Sequence, residues 1–440
     1  MTFEELNLSK PLRHALDDME YVYPTRIQQE AYSVILSGRD MVGVAQTGTG
    51  KTLAYLLPIL RQLPYSEQRN PRILILVPTR ELVLQVAAEI EKLTAYITVR
   101  VATVYGGVNI NPQKQAVHQG VDILVGTPGR AYDLAMTGIL RFKSIQKLVV
   151  DEVDEMLNLG FRPQLEAIMD TLPPRRQNLL FSATLSEGVE KIIDTHFAAP
   201  EKIIVAPHGT PLEEIQLMGY HVPNYHTKVN LLKHLLKERE VLKKVLVFVD
   251  SKKLADKLYE KIAPTYEGEV GIIHSNKAQN TRIKAIQRFQ EEEIRVLIAT
   301  DIIARGIDFR EISHVINFDM PESPGDFIHR IGRTGRAGQY GIALAFVNEK
   351  EEEQLLEIEK LIHKKLPFEE IPQEVEISKI FTPEERPKLF DKNYLGTPSR
   401  LTGGGAFHEK SAKNRQRNSG SPALKRPKKK KGPKRSGKKR

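Results

Sequence analysis

A glycine-rich segment that ends in Lys51-Thr52 contains the residue types needed to hold phosphates. It consists of Ala45, Gln46, Thr47, Gly48, Thr49, Gly50, Lys51 and Thr52 and follows an apolar run. The two glycines let the backbone turn so that its N–H groups point inward, and a following helix adds its positive N-terminal end. Lys51 would neutralise the β and γ phosphates, and Thr52 would bind Mg²⁺. The alternative is a short glycine-rich turn with an incidental lysine.

An acidic cluster supplies the partner that such a phosphate loop needs. Asp151, Glu152 and Asp154 come directly after the apolar run Lys147 to Val150. A carboxylate such as Asp151 at a strand end suits Mg²⁺ binding, and Glu152 suits orienting and deprotonating an attacking water. Acidic clusters are more often solvated turns. This cluster becomes specific because a phosphate loop requires a metal ion and a base.

Arginines that could stabilise a phosphoryl transition state lie far along the chain. The segment His329-Arg-Ile-Gly-Arg-Thr-Gly-Arg336 contains several of them. Positive charge aimed at the transferred phosphoryl group lowers its reaction barrier. Because this segment belongs to the second half of the chain, catalysis would require two domains to close. On its own, the stretch could equally be an RNA or phosphate patch without a catalytic role.

The elements that position these residues are short apolar, β-branched runs separated by helical patterns, which predicts an α/β fold with parallel sheets. The first set of strands is predicted at Met41–Ala45, Ile73–Val77, Ile123–Val125, Leu148–Val150 and Leu179–Phe181, and the second at Val245–Val249, Val270–Ile273, Val296–Ile298, His314–Asn317 and Ile342–Val347. The polar clusters follow strand ends, where open parallel sheets bind ligands.

A Pro- and Gly-containing segment between the two sets, residues 206–211, is typical of a linker. We therefore predict domains at residues 1–208 and 209–377, an extension at 378–402, and a disordered basic tail at 403–440. The tail holds 15 Lys and Arg against one Glu, so its +14 exceeds the +10 of the whole chain and leaves residues 1–402 at −4. The tail is expected to attract nucleic acid; the alternatives are a solubilising, disordered end and a signal for nuclear import.

Composition excludes several other classes of protein. The 440 residues include no cysteine, which excludes disulfides, thiol catalysis and cysteine-ligated zinc or iron clusters. No apolar run reaches the roughly 18 residues of a membrane span. The N-terminus lacks a basic start followed by an apolar stretch, so a cytoplasmic location is expected.

Taken in order, these motifs resemble the DEAD-box RNA helicase family from residue 3 to about residue 350. The resemblance implies two tandem RecA-like domains and ATP as cofactor. Phe3 and the segment from Tyr23 through Thr25 to Gln28 resemble the family's adenine-recognising element, in which the glutamine reads the base. RNA-backbone contacts are implied in the first domain for Pro78, Thr79, Arg80, Gly106, Gly107, Thr127, Pro128, Gly129 and Arg130.

Further roles follow from the same resemblance. Coupling of hydrolysis to unwinding is implied for Ser182 to Thr184 and Asp154, and His329 would link the arginines to the acidic motif. In the second domain, residues 247–251 and Gln279 to Arg282 are similar to elements that touch RNA. Thr300 would bind an RNA phosphate and Asp308 the ATP ribose. Arg333 and Arg336 would be the catalytic arginines.

One position departs from the family pattern, because Val153 stands where the family usually has Ala. Two added methyl groups beside the metal-binding turn must fit packed surroundings. Since Asp151, Glu152 and Asp154 are intact, hydrolysis is expected to survive. The fine coupling between motifs is what the change affects.

The resemblance implies an ATP-dependent RNA helicase that unwinds short duplexes locally. RNA contacts of this kind go mainly to phosphates and 2′-hydroxyls, so little sequence preference is expected. We expect a monomer with RNA and ribonucleoprotein partners and no membrane association. The alternatives are a DNA-directed translocase, which DNA stimulation of the ATPase would reveal, and a non-enzymatic RNA clamp, which a phosphate-release assay would reveal. The physiological RNA and its pathway are not encoded in these motifs.

Overall fold

The computed structural model describes residues 2–45, 48–205, 215–301, 309, 311–335, 341–383 and 385. These residues form two parallel β-sheets with helices on both faces, which confirms the predicted α/β class. The strands are β1 Met41–Val44, β2 Ile73–Leu76, β3 Val101–Val104, β4 Ile123–Gly126, β5 Lys147–Val150, β6 Gln177–Ser182, β7 Glu201–Ile204, β8 Ile215–His221, β9 Val245–Phe248, β10 Val270–Ile273, β11 Val296–Ala299, β12 His314–Asn317, β13 Gly341–Val347 and β14 Phe368–Glu369.

The helices lie between these strands, as parallel pairing requires. They are α1 Lys10–Asp18, α2 Arg26–Leu36, α3 Lys51–Gln62, α4 Arg80–Leu93, α5 Ile110–Gln119, α6 Pro128–Met136, α7 Val153–Asn158, α8 Arg162–Thr171, α9 Glu187–His196, α10 Tyr225–Leu235, α11 Lys252–Ile262, α12 Gln279–Gln290, α13 Pro324–Ile331 and α14 Glu352–Ile362. Short 3₁₀ helices occur at Phe3–Leu6, Phe142–Ser144 and Glu349–Glu351. Among the helices of the described residues, none is long and apolar enough to cross a membrane.

In the described part of the chain each sheet has seven strands. Their orders are β3-β4-β2-β5-β6-β1-β7 and β10-β11-β9-β12-β13-β8-β14. Alternate residues of a strand enter the cores on opposite faces: Ile73 and Ile75 pack in one cluster, and Leu74 and Leu76 in the other. Burial on both faces explains why the inner strands are mostly apolar, with polar residues at their ends.

All ten predicted strands are present, with ends shifted by up to two residues, and four strands were not predicted. The predicted strands stand out because their buried residues are mainly apolar, and this holds even for β10, which is an edge strand. By contrast β3 alternates buried with partly exposed residues, β7 and β14 are partly exposed edge strands, and β8 mixes polar with apolar residues. Continuous apolar runs therefore do not mark these four strands.

The predicted linker at residues 206–211 and the tail at 403–440 lie outside the described residues. The start of the predicted extension is described, and it packs on the second sheet's helices. Ser378 N donates to Thr227 Oγ1 (3.0 Å), and Asn224 Nδ2 donates to Ser378 O (2.6 Å). Residues just beyond 377 are thus held by the start of α10.

Candidate functional site

The predicted phosphate loop leads from β1 into α3. Gly48 and Gly50 adopt φ of +87° and +83°, a region that favours glycine. A Cβ at Gly50 would lie 2.3 Å from Gln28 Nε2, so a side chain there would displace the Gln28 amide and strain the backbone. Gln46 and Thr47, also predicted to bind the cofactor, lie outside the described residues.

The start of α2 is hydrogen-bonded to this loop. Thr25 Oγ1 donates to Thr49 O (2.7 Å), and Gln28 Nε2 donates to Gly50 O (3.1 Å). Gln28 Oε1 also accepts from Thr25 N (2.8 Å), which fixes the amide orientation. The predicted adenine-recognising element is therefore attached directly to the segment predicted to hold the phosphates.

Buried charges face each other at the centre of the site. Lys51, Asp151 and Glu152 are 6%, 3% and 9% exposed. Within the described residues, Lys51 Nζ and Asp151 Oδ1 are buried without a hydrogen-bond partner. Because an unsatisfied buried charge is costly, these atoms fit a site that binds phosphate and a divalent cation. Glu152 lies at φ +54°, a strained conformation for a residue other than glycine.

Burial changes the protonation of these acids. It raises the pKa of Glu152 to about 7, although the charge of Lys51 opposes the shift and that of Asp151 adds to it. It also raises the pKa of Asp151, again against Lys51. A carboxyl whose pKa lies near neutrality can both accept and release a proton, as a general base must.

A cleft of about 1110 Å³ contains residues of both sheets. Those from the first sheet's side include Phe3, Tyr21, Tyr23, Thr25, Gln28, Gly48, Gly50, Lys51, Thr52, Asp151 and Glu152, and those from the second include Lys243, Lys244, Arg295, Ser313, Arg333 and Thr334. Tyr23 is 74% exposed, whereas Phe3 is buried. Ala45, at the end of β1, is buried.

The predicted catalytic groups of the two halves meet beside this cleft. One small cavity is lined by Lys51, Glu152, Asp154, Glu155, Ala183, His329 and Arg333. The charge of Arg333 acts to lower the pKa of Glu152. Arg336 and Asp308 lie outside the described residues, so their positions remain predictions.

Asp154 connects the acidic segment to the end of β6. Its Oδ2 accepts from Ala183 N (3.1 Å), Thr184 N (3.0 Å) and Thr184 Oγ1 (3.1 Å). Ser182 Oγ in turn donates to Thr184 O (2.6 Å). Asp154, Ser182 and Thr184, three of the four residues predicted to couple hydrolysis to unwinding, thus form one hydrogen-bonded unit.

The residues predicted to bind RNA in the first domain lie at one sheet edge. Pro78 to Arg80 follow β2, Gly106 and Gly107 follow β3, and Thr127 to Arg130 follow β4, and these three strands are neighbours. Among the described residues, no atom outside the immediate chain neighbours lies within 4 Å of a Cβ built on Gly106 or Gly107. The missing side chains therefore leave space open to a ligand rather than to the protein core.

In the second sheet, Thr300 directly follows β11 and is 7% exposed. Its N–H donates to Ile273 O (3.4 Å) at the end of neighbouring β10. Thr300 therefore lies at the carboxyl edge of its sheet, like the predicted RNA contacts of the first.

A contact between the two halves was not predicted. Glu81 Oε1 accepts from Gln279 Nε2 (3.0 Å) and lies 3.0 Å from Arg282 Nη2. Both charged side chains are largely buried, at 7% and 12% exposure. The local sequence pattern relates Gln279 and Arg282 only to RNA and gives no sign of Glu81, which lies 198 positions before Gln279.

Other residues of the site carried no sequence signal either. Tyr55 on α3 is fully buried, and burial, together with the charge of Asp151, raises its pKa well above the usual value. Lys243 and Lys244 line the cleft from the second sheet. Each belongs to a segment with no recognisable motif, so only packing brings it to the site.

Comparison with known families matches both halves of the chain. Residues 25–192 match the family described as "DEAD/DEAH box helicase". Residues 227–338 match the "Helicase conserved C-terminal domain". The two matches fall on the first and second sheets respectively.

Relatives and solved structures match over most of the chain. The DEAD-box ATP-dependent RNA helicase CshA of Bacillus cereus is 38% identical over 371 residues, which cover 84% of this chain and 70% of that protein. S. cerevisiae Dbp5 bound to RNA and ADP BeF3 superposes with a TM-score of 0.76 at 28% identity, covering 84% of this chain and 96% of that one.

A DEAD box protein from Methanococcus jannaschii is more similar in sequence than Dbp5 but less similar in structure. It is 34% identical and covers 84% of this chain and 99% of its own, yet its TM-score is 0.51. The two sheets of this chain are thus arranged more like those of the RNA- and nucleotide-bound Dbp5.

Proposed function

This chain belongs to the DEAD-box family of ATP-dependent RNA helicases, and we propose that it closes its two RecA-like domains on ATP and single-stranded RNA to separate short duplexes. The observation that carries the proposal is the cleft in which Lys51 and Glu152 of the first sheet meet Arg333 of the second. Catalysis that needs groups from both domains depends on closure. Closure in turn can be favoured by RNA.

In the proposed hydrolysis, Lys51 binds the β and γ phosphates of ATP, and Thr52 and Asp151 hold Mg²⁺. The bound Mg²⁺ would draw negative charge from the phosphate oxygens. Glu152 orients the attacking water and accepts its proton, a task suited to its raised pKa of about 7. Arg333 and Arg336 stabilise the charge of the transferred phosphoryl group.

Adenine recognition is assigned to Gln28, with Phe3 and Tyr23 packing near the base. The Gln28 amide already uses one N–H and one acceptor position on the protein. One N–H and one lone pair remain, enough for the paired hydrogen bonds that would select adenine over guanine. Asp308 is assigned to the ribose.

The RNA backbone is proposed to bind Arg80, Gly106, Gly107, Arg130 and Thr300. Support comes from Arg80, whose Nε and Nη1 are buried without a hydrogen-bond partner among the described residues. Both could donate hydrogen bonds to a phosphate. Contacts to phosphates carry no sequence information, so the core should discriminate little between sequences. A surface that holds a bent single strand of RNA cannot hold a regular duplex. Binding of one strand therefore separates the base pairs locally.

Coupling is assigned to Asp154, Ser182, Thr184 and His329. Asp154 is hydrogen-bonded to the segment after β6 and lines the same cavity as His329. A change at the phosphates can thus be transmitted across the domains. We further propose domains at residues 1–208 and 209–377 and an extension at 378–402. The protein is proposed to be a monomer with ribonucleoprotein partners.

The test is phosphate release measured with and without RNA, with an equal concentration of DNA as the comparison. We expect stimulation by RNA only. Lys51→Ala should lose turnover and ATP binding, because the phosphate ligand is gone. Glu152→Gln should lose turnover but retain ATP and hold RNA tightly. Turnover by Glu152→Gln at the native rate would refute the assignment of the base, and stimulation by DNA would favour a translocase.

A further inference from the structure

We propose that Gln113 is a positioning residue that sets the shape of the first-domain RNA surface, an inference that rests on the proposed function. Gln113 lies on α5, outside every motif discussed above, and is 8% exposed. The other glutamines of the helix, Gln115 and Gln119, are exposed. A single glutamine is therefore turned inward from a polar helix.

The Gln113 amide holds the backbone of Tyr105, the residue before Gly106. Its Oε1 accepts from Tyr105 N (3.1 Å), and its Nε2 donates to Tyr105 O (3.1 Å). A carboxamide is complementary to one residue's N–H and C=O because it carries a donor and an acceptor side by side. This two-point contact fixes the entry to the Gly106-Gly107 turn.

The other side of the turn is held through Arg130. Arg130 Nη1 donates to Gln113 Oε1 (3.2 Å), and Nη2 donates to Val108 O (3.0 Å). The Arg130 side chain is 11% exposed. Much of its guanidinium is therefore hydrogen-bonded within the protein. Arg130 thus stabilises the Gly106-Gly107 turn, although the sequence related both only to RNA binding.

Tyr105 extends the network to the third RNA segment. The guanidinium carbon of Arg80 lies 4.4 Å from the centre of the Tyr105 ring, within the range of a cation–π interaction. Segments after β2, β3 and β4 are thus joined through Gln113 and Tyr105. A backbone turn that must present N–H groups to phosphates gains affinity when it is held in place before RNA arrives.

The experiment compares Gln113→Ala and Gln113→Glu with the matched controls Gln115→Ala and Gln115→Glu on the exposed face of the same helix. Binding of fluorescein-labelled oligouridylate is measured with a non-hydrolysable ATP analogue. RNA-stimulated ATPase, ATP affinity and the thermal unfolding midpoint are measured beside it.

Gln113→Ala should raise the RNA needed for half-maximal ATPase by about tenfold, with maximal ATPase and ATP affinity within about twofold of native. Gln113→Glu should also weaken RNA binding: its carboxylate still accepts from Tyr105 N and Arg130, but its second oxygen faces Tyr105 O in place of the N–H donor. The Gln115 variants should behave like the native chain.

Two results would overturn the proposal. One is an RNA affinity in Gln113→Ala no lower than in Gln115→Ala. The other is a parallel loss of ATP affinity, maximal ATPase and thermal stability, which indicates a purely structural residue. If the native chain bound oligouridylate without hydrolysing ATP, the proposed function would fail, while the binding comparison would still judge Gln113.

Discussion

At the scale of single residues, the site concentrates buried charged groups that we propose bind the nucleotide and its metal ion. Lys51 Nζ and Asp151 Oδ1 are buried without a hydrogen-bond partner among the described residues, and Glu152 adopts a strained left-handed conformation. Buried unpaired groups and backbone strain of this kind lower the stability of the fold, and the proposed binding of nucleotide would offset that loss. Val153, next to these groups, is by contrast an ordinary core residue, with no exposed surface.

Val153→Ala is expected to lower stability but leave ATP binding nearly unchanged. Removing two methyl groups from a packed core costs about 2 to 3 kcal/mol of unfolding free energy, including the cavity left behind. The side chain has no proposed contact with nucleotide, so any functional change should appear in duplex unwound per ATP. Thermal unfolding and a fluorescent-ATP titration measure both effects. A large loss of RNA-stimulated ATPase would instead show that the surrounding residues of this chain are adapted to valine at this position.

At the scale of elements, strand ends decide both stability and binding. The carboxyl ends carry the proposed contacts with ATP and RNA. The opposite ends carry a buried ionic cluster: Asp122, just before β4, pairs with Arg72 before β2 (2.7 Å) and Arg100 before β3 (2.9 Å). The amino ends of these strands are thus stabilised by ion pairs, and their carboxyl ends remain available for the proposed ligands.

Gly106→Ala should weaken RNA binding without destabilising the fold. Apart from its chain neighbours, a Cβ at Gly106 meets no atom of the described part of the chain within 4 Å, so the fold can accommodate it. The methyl group would instead occupy space proposed for the RNA backbone. We expect a rise of about tenfold in the RNA needed for half-maximal ATPase, with an unchanged unfolding midpoint. Unchanged RNA affinity would mean that the turn does not approach RNA.

Asp122→Asn should destabilise the first domain at neutral pH. Burial by itself raises the pKa of Asp122, but hydrogen bonds from Arg100 and Arg72 outweigh it and leave the pKa below its usual value. Breaking a buried pair costs roughly 3 to 5 kcal/mol.

The pH dependence of that loss has a definite sign. A depressed carboxyl pKa stabilises the folded state above the unfolded value of about 3.9, and the contribution is lost as pH falls through the folded value. The stability difference between native chain and variant should therefore be full at pH near 7 and shrink in acid. Urea unfolding at several pH values measures it, and a difference independent of pH would contradict the ionic explanation.

At the scale of the whole molecule, Glu81 joins the two sheets through Gln279 and Arg282, residues that do not line the cleft proposed for ATP. These contacts can form only when the domains are together, so we expect them to affect the coupling between ATP and RNA rather than either site alone. The tail is expected to act at longer range, through its charge.

Glu81→Ala should weaken closure by leaving Arg282 buried without its carboxylate. We expect the RNA needed for half-maximal ATPase to rise about tenfold or more, with ATP affinity in the absence of RNA unchanged. Because Arg282 is also proposed to contact RNA, the double variant with Arg282→Ala is needed to separate the roles. Strictly additive single effects would show that the pair does not contribute to closure.

Deleting residues 403–440 should weaken RNA binding without removing catalysis, since every proposed ATP contact lies between Phe3 and Arg336. If about six of the 15 basic residues meet phosphates, the slope of log affinity against log salt should fall by on the order of 4 to 5. Maximal ATPase at saturating RNA should be kept. Paired salt titrations of full-length and truncated protein measure the slope. An unchanged slope would exclude the tail from RNA binding, and lost maximal ATPase would make it part of the catalytic unit.

The sequence by itself determined the fold class, the inner strands and the makeup of the proposed ATP site. These signals are local: a strand buried on both faces must be mainly apolar, and a phosphate loop must place glycines, lysine and threonine close together in sequence. Tertiary structure alone decided which distant side chains meet. The contact of Glu81 with Arg282 and the bridge from Gln113 to Tyr105 and Arg130 depend on packing between elements. Edge strands such as β7 were likewise revealed only by the tertiary structure, because an exposed strand needs no continuous apolar run to pair with its neighbour.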